Sequence, residues 1–305
     1  MYTLLMKKRD IHGISRFWNV VFNLLIGLFS FSCVFPFIFV IMNSIADEQT
    51  LAQEGYRIIP SQFSFEAYSY IFNSTTQLVQ SFGLTLMITV IGTLLSLFLV
   101  TTYAYAISRR SFEFRTGFTF LAFFTMLFSG GLVPGYIVMT QFLGLQNTIW
   151  ALILPLSMNA FFIIVMRTFF QTTVPDAIIE SAKIDGAGDL RTFSTIVLPI
   201  SLPGIATIGL FSSLGYWNDW FNALLYYNKN ELVPPLQYLL MKIERSMEFL
   251  VQNSQYMGSF DGAATLPTET VRMAMVVVAT LPIAMAYPFF QRYFVQGLTV
   301  GSVKG

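Results

Sequence analysis

The chain has 305 residues, of which 55% are hydrophobic and 11% charged, with 32 Phe and a formal net charge of +1. That balance excludes an ordinary soluble domain, and without a basic cluster interleaved with aromatics it excludes a nucleic-acid surface. A single histidine, His12, and a single cysteine, Cys33, exclude a metal-ligand set, a His-dependent hydrolytic triad and an internal disulfide.

Lys7, Lys8, Arg9 and Arg16 precede an apolar run from about Phe17 to Ile45, long enough to cross a bilayer, with Cys33 inside it read as a small buried residue. Ser44-Ile45-Ala46 is a tolerable cleavage pattern after a basic start. The run nevertheless exceeds the roughly 7 to 15 apolar residues of a signal peptide, so it reads as an uncleaved first span. Asp47 to Gln80 is polar and turn-rich, with Ser64 placed to cap a short helix through Tyr68 and Ile71; it reads as an external segment.

A second span from about Phe82 to Ile107 ends at Arg109-Arg110, with Arg115 beyond. The third, about Thr116 to Phe142, is interrupted by Ser129-Gly130-Gly131-Leu132-Val133-Pro134-Gly135, an irregularity that lipid tolerates only where protein or water covers it. The fourth, about Ile149 to Phe170, contains Pro155 and Asn159 and has Arg167 at its cytoplasmic end. A fifth, about Val197 to Tyr227, is expected to bend, because it holds Pro199, Pro203, Gly204, Gly209 and Gly215. Tyr227 to Thr270 reads as external, with turns at Pro234-Pro235 and Asp261-Gly262 and a short helix over Leu236 to Met247. The sixth span, about Val271 to Phe290, is expected to kink near Pro282.

This path puts Lys7, Lys8, Arg9, Arg16, Arg109, Arg110, Arg115, Arg167, Lys183, Arg191, Arg292 and Lys304 inside, against Arg57, Lys229, Lys242, Arg245 and Arg272 outside. The excess predicts that both termini are cytoplasmic. The expected fold class is an all-α, multi-pass integral membrane protein of about six transmembrane helices. We divide it into a cytoplasmic arm (1–16), a membrane domain (17–292) with a cytoplasmic loop at 171–196, and a cytoplasmic tail (293–305).

Charge collects between Val174 and Gly204. Pro175 suits a first helical turn, Asp176 places negative charge at its start, and Gly186 can take the left-handed conformation that ends it. The spacing predicts a helix from about Pro175 to Asp185 with Ala177, Ile178, Ser181, Ala182 and Ile184 on its apolar side. Asp189 is expected to cap a second helix carrying Leu190, Phe193 and Val197 toward Leu198 and Pro199. Gly297 to Gly305 is glycine-rich and contains Lys304, but it lacks P-loop spacing. No ATP hydrolysis is expected of this chain.

Glu180-Ser181-Ala182, Asp185-Gly186-Ala187, then Phe193, Ile196, Leu198 and Pro199 resemble the cytoplasmic signature loop of bacterial ABC importer permeases. Ser181 stands where that family usually has Ala. Phe128 to Pro134, Arg167-Thr168-Phe169-Phe170, Trp217-Asn218-Asp219, Pro235-Leu236-Gln237 and the ending from Tyr287 to Gly305 are similar to the carbohydrate-uptake branch, the oligosaccharide permeases related to the maltose permease.

The resemblance implies a type I importer permease fold in a bacterial cell membrane and a coupling helix-turn-helix that docks on an ATPase. It also implies a second, different permease subunit, two ATPase copies, an extracytoplasmic sugar-binding protein and an oligosaccharide substrate. ATP and magnesium would reside in the ATPase, with no cofactor on this chain. Glu180 would pair with a basic residue of the ATPase, Gly186 would permit the turn, and the tail from Ser302 to Gly305 would be a second contact. The companion permease would supply much of the substrate site.

Tyr216-Trp217-Asn218-Asp219-Trp220 has two readings: an interfacial aromatic belt with structural amide and carboxylate, or part of a sugar path with rings stacking on the sugar and polar groups bonding hydroxyls. Asn159 carries the same choice, path residue or interhelical hydrogen bond. The alternative function, a secondary transporter driven by an ion gradient, would need intramembrane acids, and Asp219 is the candidate. A membrane scaffold or receptor is disfavoured by the glycine- and proline-broken spans.

Overall fold

The computed structural model describes residues 15–73, 75–229, 232–253 and 268–302. The N-terminal arm with Lys7, Lys8, Arg9 and His12, the turn at Asp261-Gly262 and the tail beyond Ser302 with Lys304 lie outside the described residues. Among the described residues the regular structure is helical, and the β pairing is one isolated bridge between Ala46 and Phe63. The chain forms two compact units, Met1–Ser69 with Thr265–Val277 and Tyr70–Ala264 with Val278–Gly305.

In the first unit α1 (Arg16–Ser44) fulfils the expected first span. None of its most apolar window is buried within the chain, so that surface is available to lipid or another subunit. For the same reason Cys33, expected as a small buried residue, is exposed on the chain as folded. Helix α2 (Glu48–Glu54) begins where the Asp47 carboxylate accepts the Thr50 N–H at 2.9 Å and ends at Gly55, φ +74°. Helix α3 (Glu66–Asn73), which starts in this unit, has Ser64 at its head, accepting the Glu66 N–H at 3.2 Å.

The second unit opens with α4 (Thr75–Ser108). It starts earlier than the expected Phe82, because no Gly or Pro interrupts Thr75 to Phe82 and the polar Gln77 and Gln80 are compatible with helix. The third span is broken as its glycines predict: α5 (Arg115–Leu127) and α6 (Leu132–Ile137), continued by a π turn at Val138–Phe142, lie at 113° about Gly131, φ +88°. The fourth bends by 51° between α7 (Trp150–Ile153), extended by a 3-10 turn at Leu154–Leu156, and α8 (Ala160–Thr173).

Helix α9 (Asp176–Ile184) is followed by α10 (Asp189–Thr192), a π turn at Phe193–Val197, and α11 (Leu198–Ile200). An 81° bend at Ser201 leads into α12 (Leu202–Trp217). The expected fifth span, about Val197 to Tyr227, bends at Ser201 as its glycines and prolines predict, and its helix α12 ends at Trp217, short of Tyr227. Next come α13 (Phe221–Tyr226), α14 (Leu236–Asn253) and α15 (Thr268–Ser302), which covers the expected sixth span with Pro282 and Pro288 inside it. Two helices, Phe17–Ser44 and Gln77–Ser108, are each long and apolar enough to cross a membrane, and the three bent pairs qualify as broken spans.

Helices α4, α8 and α12 hold the core of the second unit. Val100, Ala104 and Ile107 of α4 meet Ile163, Met166 and Phe170 of α8 and Ile208 of α12. Gly92 lets α12 approach α4: a Cβ there would lie 2.5 Å from the Tyr216 ring. Nearby, the buried hydroxyls of Ser96 and Ser212 form a 3.2 Å hydrogen bond between the same two helices.

Candidate functional site

Helix α9 starts after Pro175, whose ψ of 140° is extended, and has Asp176 in its first turn. Its end is a Schellman motif: the Gly186 N–H donates to Lys183 O at 3.0 Å and the Ala187 N–H to Ala182 O at 2.9 Å, with Gly186 at φ +81°. Open space surrounds the Gly186 Cα, so the demand for glycine there is conformational and not steric.

Most of the expected apolar side of α9 is left facing away from the chain, open to a partner, and Ala182 is the member of it that turns inward beside Ile179. Ile179 and Ala182 are buried, whereas Ala177, Ile178, Ser181 and Ile184 are exposed. Adjacent Ile178 and Ile179 offer two apolar faces, and the core takes Ile179. Asp189 is likewise not the cap of the next helix. Gly188 occupies that position and Asp189 is the first helical residue, its carboxylate 3.1 Å from Lys183 Nζ across the turn. Phe193 and Val197 enter the core, but Leu190, in the first turn of α10, is 81% exposed.

Glu180, Ser181, Asp185 and Gly186 thus lie at the surface with Ile184, which is 86% exposed, while Ala187 is half-buried. The Ser181 hydroxyl donates to Ile178 O at 3.0 Å. Leu198 packs against the core and Pro199 is exposed on α11. The helix-turn-helix therefore presents two acids, Glu180 and Asp185, small residues, and the aliphatic side chains of Ile178, Ile184 and Leu190 from a base fixed in the α4 and α8 core.

Sequence reasoning gave Arg109 and Arg110 a topological role and missed their partner. Arg109 Nη1 lies 3.6 Å from Asp176 Oδ1, and Arg110 Nε lies 3.6 Å from Asp176 Oδ2. Arg109 is buried, and its Nε donates to Ser108 Oγ at 2.9 Å and its Nη2 to Phe170 O at 3.5 Å. Burial holds its guanidinium pKa below the ordinary value, opposed by Tyr105 and Asp176. The available signal was an acid opening one helix and an arginine pair closing another.

The other polar constellation is arranged differently. Tyr216 and Trp217 are buried; the Tyr216 hydroxyl donates to Ile153 O at 2.9 Å and the Trp217 indole N–H to Ala279 O at 2.9 Å. Asp219 accepts the Asn222 N–H at 3.1 Å on one oxygen and the Asn222 amide at 2.8 Å on the other, capping the entry to α13. Asn159 caps α8, its side-chain oxygen accepting the Phe161 N–H at 2.9 Å, in place of the interhelical bond considered from sequence. Asn159, Asn218 and Trp220 are the exposed members of the set, and Asn218 donates to Leu214 O at 3.0 Å.

No family model matches this chain. Over 291 residues it is 44% identical to the polygalacturonan/rhamnogalacturonan transport system permease protein YtcP of Bacillus subtilis, covering 94% of this chain and 99% of that protein. It is 41% identical over 290 residues to protein LplC of the same organism, covering 95% and 96%. Among solved structures, a bacterial ABC transporter involved in the import of the acidic polysaccharide alginate matches with a TM-score of 0.75 at 28% identity, over 92% of this chain and 97% of that chain. A helical membrane protein with broken spans and a surface helix-turn-helix is the class this fold defines. The chain belongs to the permease subunits of sugar ABC transport systems, which are integral to the membrane and non-catalytic.

Proposed function

We propose that this chain forms part of the translocation path of an ATP-driven oligosaccharide importer, and that α9 and α10 couple that path to a separate ATPase. The observation that carries the reading is the exposure of Glu180, Ile184 and Leu190 on an element whose other side, Ile179 and Phe193, is rooted in the core. Exposed aliphatics beside a carboxylate suit a protein groove with a basic rim. The working assembly is this chain, a different companion permease, two ATPase copies holding ATP and magnesium, and an extracytoplasmic sugar-binding protein. With six spans and the excess of Lys and Arg on the inner side, both termini and α9 would be cytoplasmic.

The relatives' names favour an oligosaccharide of an acidic polysaccharide as solute. With Tyr216 and Trp217 buried, the exposed Asn159, Asn218 and Trp220 are the members of the sequence-predicted path set that can meet it, and the companion permease supplies the remaining contacts. An ion-gradient mechanism would rest on Asp219, whose two oxygens already cap α13. Reconstitution of the purified assembly in proteoliposomes tests the reading. Import that requires ATP and is abolished by Glu180→Lys supports it; import that persists without ATP returns the ion-gradient alternative.

A further inference from the structure

Helix α9 joins α8 through Val174 and Pro175, and Pro175 is extended, so the covalent link alone leaves the angle between the two helices loosely set. Beyond the buried Ala182 and the Lys183–Asp189 pair at the C-terminal end of α9, two attachments restrain it nearer its start. Ile179 enters the core, a contact that is non-directional and permits sliding. The other is Asp176, gripped on separate oxygens by Arg109 and Arg110.

The two arginines are unequal. The Arg110 side chain is 86% exposed and its attraction is screened. Arg109 is immobilised: Ser108 Oγ and Phe170 O accept from its guanidinium, which also lies 5.3 Å from the centre of the Tyr105 ring. Tyr105 in turn packs on Phe193 with ring centres 4.8 Å apart. Arg109 is therefore fixed to the ends of both α4 and α8. Its Nη1 is buried without a hydrogen bond, and the nearest acid oxygen is 3.6 Å away on Asp176. Movement of α9 toward α4 would complete that bond; movement away would leave a buried charge unpaired, which is costly.

We infer that Arg109 is a positioning residue: its pairing with Asp176 passes displacement of α9 to α4, and α4 carries it to α12 through Gly92, Tyr216, Ser96 and Ser212. The inference rests on α9 being the ATPase-docking element and adds the route by which its motion enters the membrane helices. The route is contiguous, and its polar joint favours one direction of movement. Arg110 steadies the carboxylate from solvent and contributes little.

The test uses the complete importer in proteoliposomes, with Arg109→Gln, Asp176→Asn, the double variant and Arg110→Gln. ATPase retention, ATP hydrolysis and solute imported per ATP are measured together. Arg109→Gln and Asp176→Asn retain the ATPase and most hydrolysis but lower solute per ATP by about tenfold, and the double variant falls no further, because both remove one interaction. Asp176→Glu recovers part of the ratio, and Arg110→Gln changes it by less than about twofold. An unchanged ratio in Arg109→Gln, additive losses in the double variant, or loss of the ATPase from the complex overturns the inference. Glu180→Lys separates the two readings: if it leaves docking and import intact, α9 is not the docking element, whatever the arginine variants do.

Discussion

The loop from Asp176 to Thr192 and the segment from Tyr216 to Asp219 both stand out in the sequence as polar or aromatic clusters beside apolar spans, yet they use those side chains in opposite ways. In the first, Glu180, Asp185, Ile184 and Leu190 are exposed, and the internal interactions are made by the backbone at Gly186, by Lys183 with Asp189, and by Asp176 with Arg109 and Arg110. In the second, the Tyr216 hydroxyl, the Trp217 indole and both Asp219 oxygens are occupied within the chain. A buried polar group bonded within its own chain is part of the scaffold; side chains left exposed on a rigid base are available to a partner.

This contrast predicts that variants in the loop impair coupling with little loss of stability, and variants in the segment do the reverse. The largest effect is expected at the bare face: Glu180→Lys with Ile184→Asp should lower import by about 100-fold or more by removing the centre of the docking surface. Thermal unfolding of the membrane domain should barely move, and a large shift would show that the face is structural. Gly186→Val comes next, since a non-glycine residue in the left-handed region costs about 1 to 2 kcal/mol and a β-branched one more. Gly188→Ala is its control: Gly188 has φ −70° and open space around it, so import should stay within about twofold.

Tyr216→Phe should act oppositely, removing a buried hydrogen bond to Ile153 O at a cost of about 0.5 to 1.5 kcal/mol. A lower Tm with normal solute per ATP is the expected result, and a changed ratio with normal Tm would move Tyr216 into the path. The smallest effect belongs to Asn218→Ala. If its exposed amide meets solute, the half-saturating concentration of the sugar-loaded binding protein rises by a few fold at most, equivalent to one hydrogen bond of about 1 kcal/mol.

Much of this architecture is legible in the chain because Gly and Pro are local signals. Gly131 breaks the third span, and Gly186 ends α9. The misplaced features depend on neighbours. Periodicity within α9 fits an apolar face through Ile178 or one through Ile179, and only the core formed by Phe170 and Val197 selects the second. The cap at Gly188 and the π turn after Thr192 follow from how Phe193 is drawn against Tyr105, a contact between distant parts of the sequence. Arg109 and Asp176 are separated by the whole of α5 to α8, so no local pattern pairs them. Asp219 was readable as costly in lipid, but its role as a cap required Asn222 to be folded beside it.

The most direct test of the central claim is the accessibility of position 181 on α9. With Cys33 replaced by Ser and Ser181→Cys introduced, inside-out vesicles are exposed to a membrane-impermeant thiol reagent before and after the ATPase is stripped from the assembled importer. The account predicts protection while the ATPase is bound and rapid labelling once it is removed. Equal labelling in both states, or labelling only from the opposite side of the membrane, would contradict it.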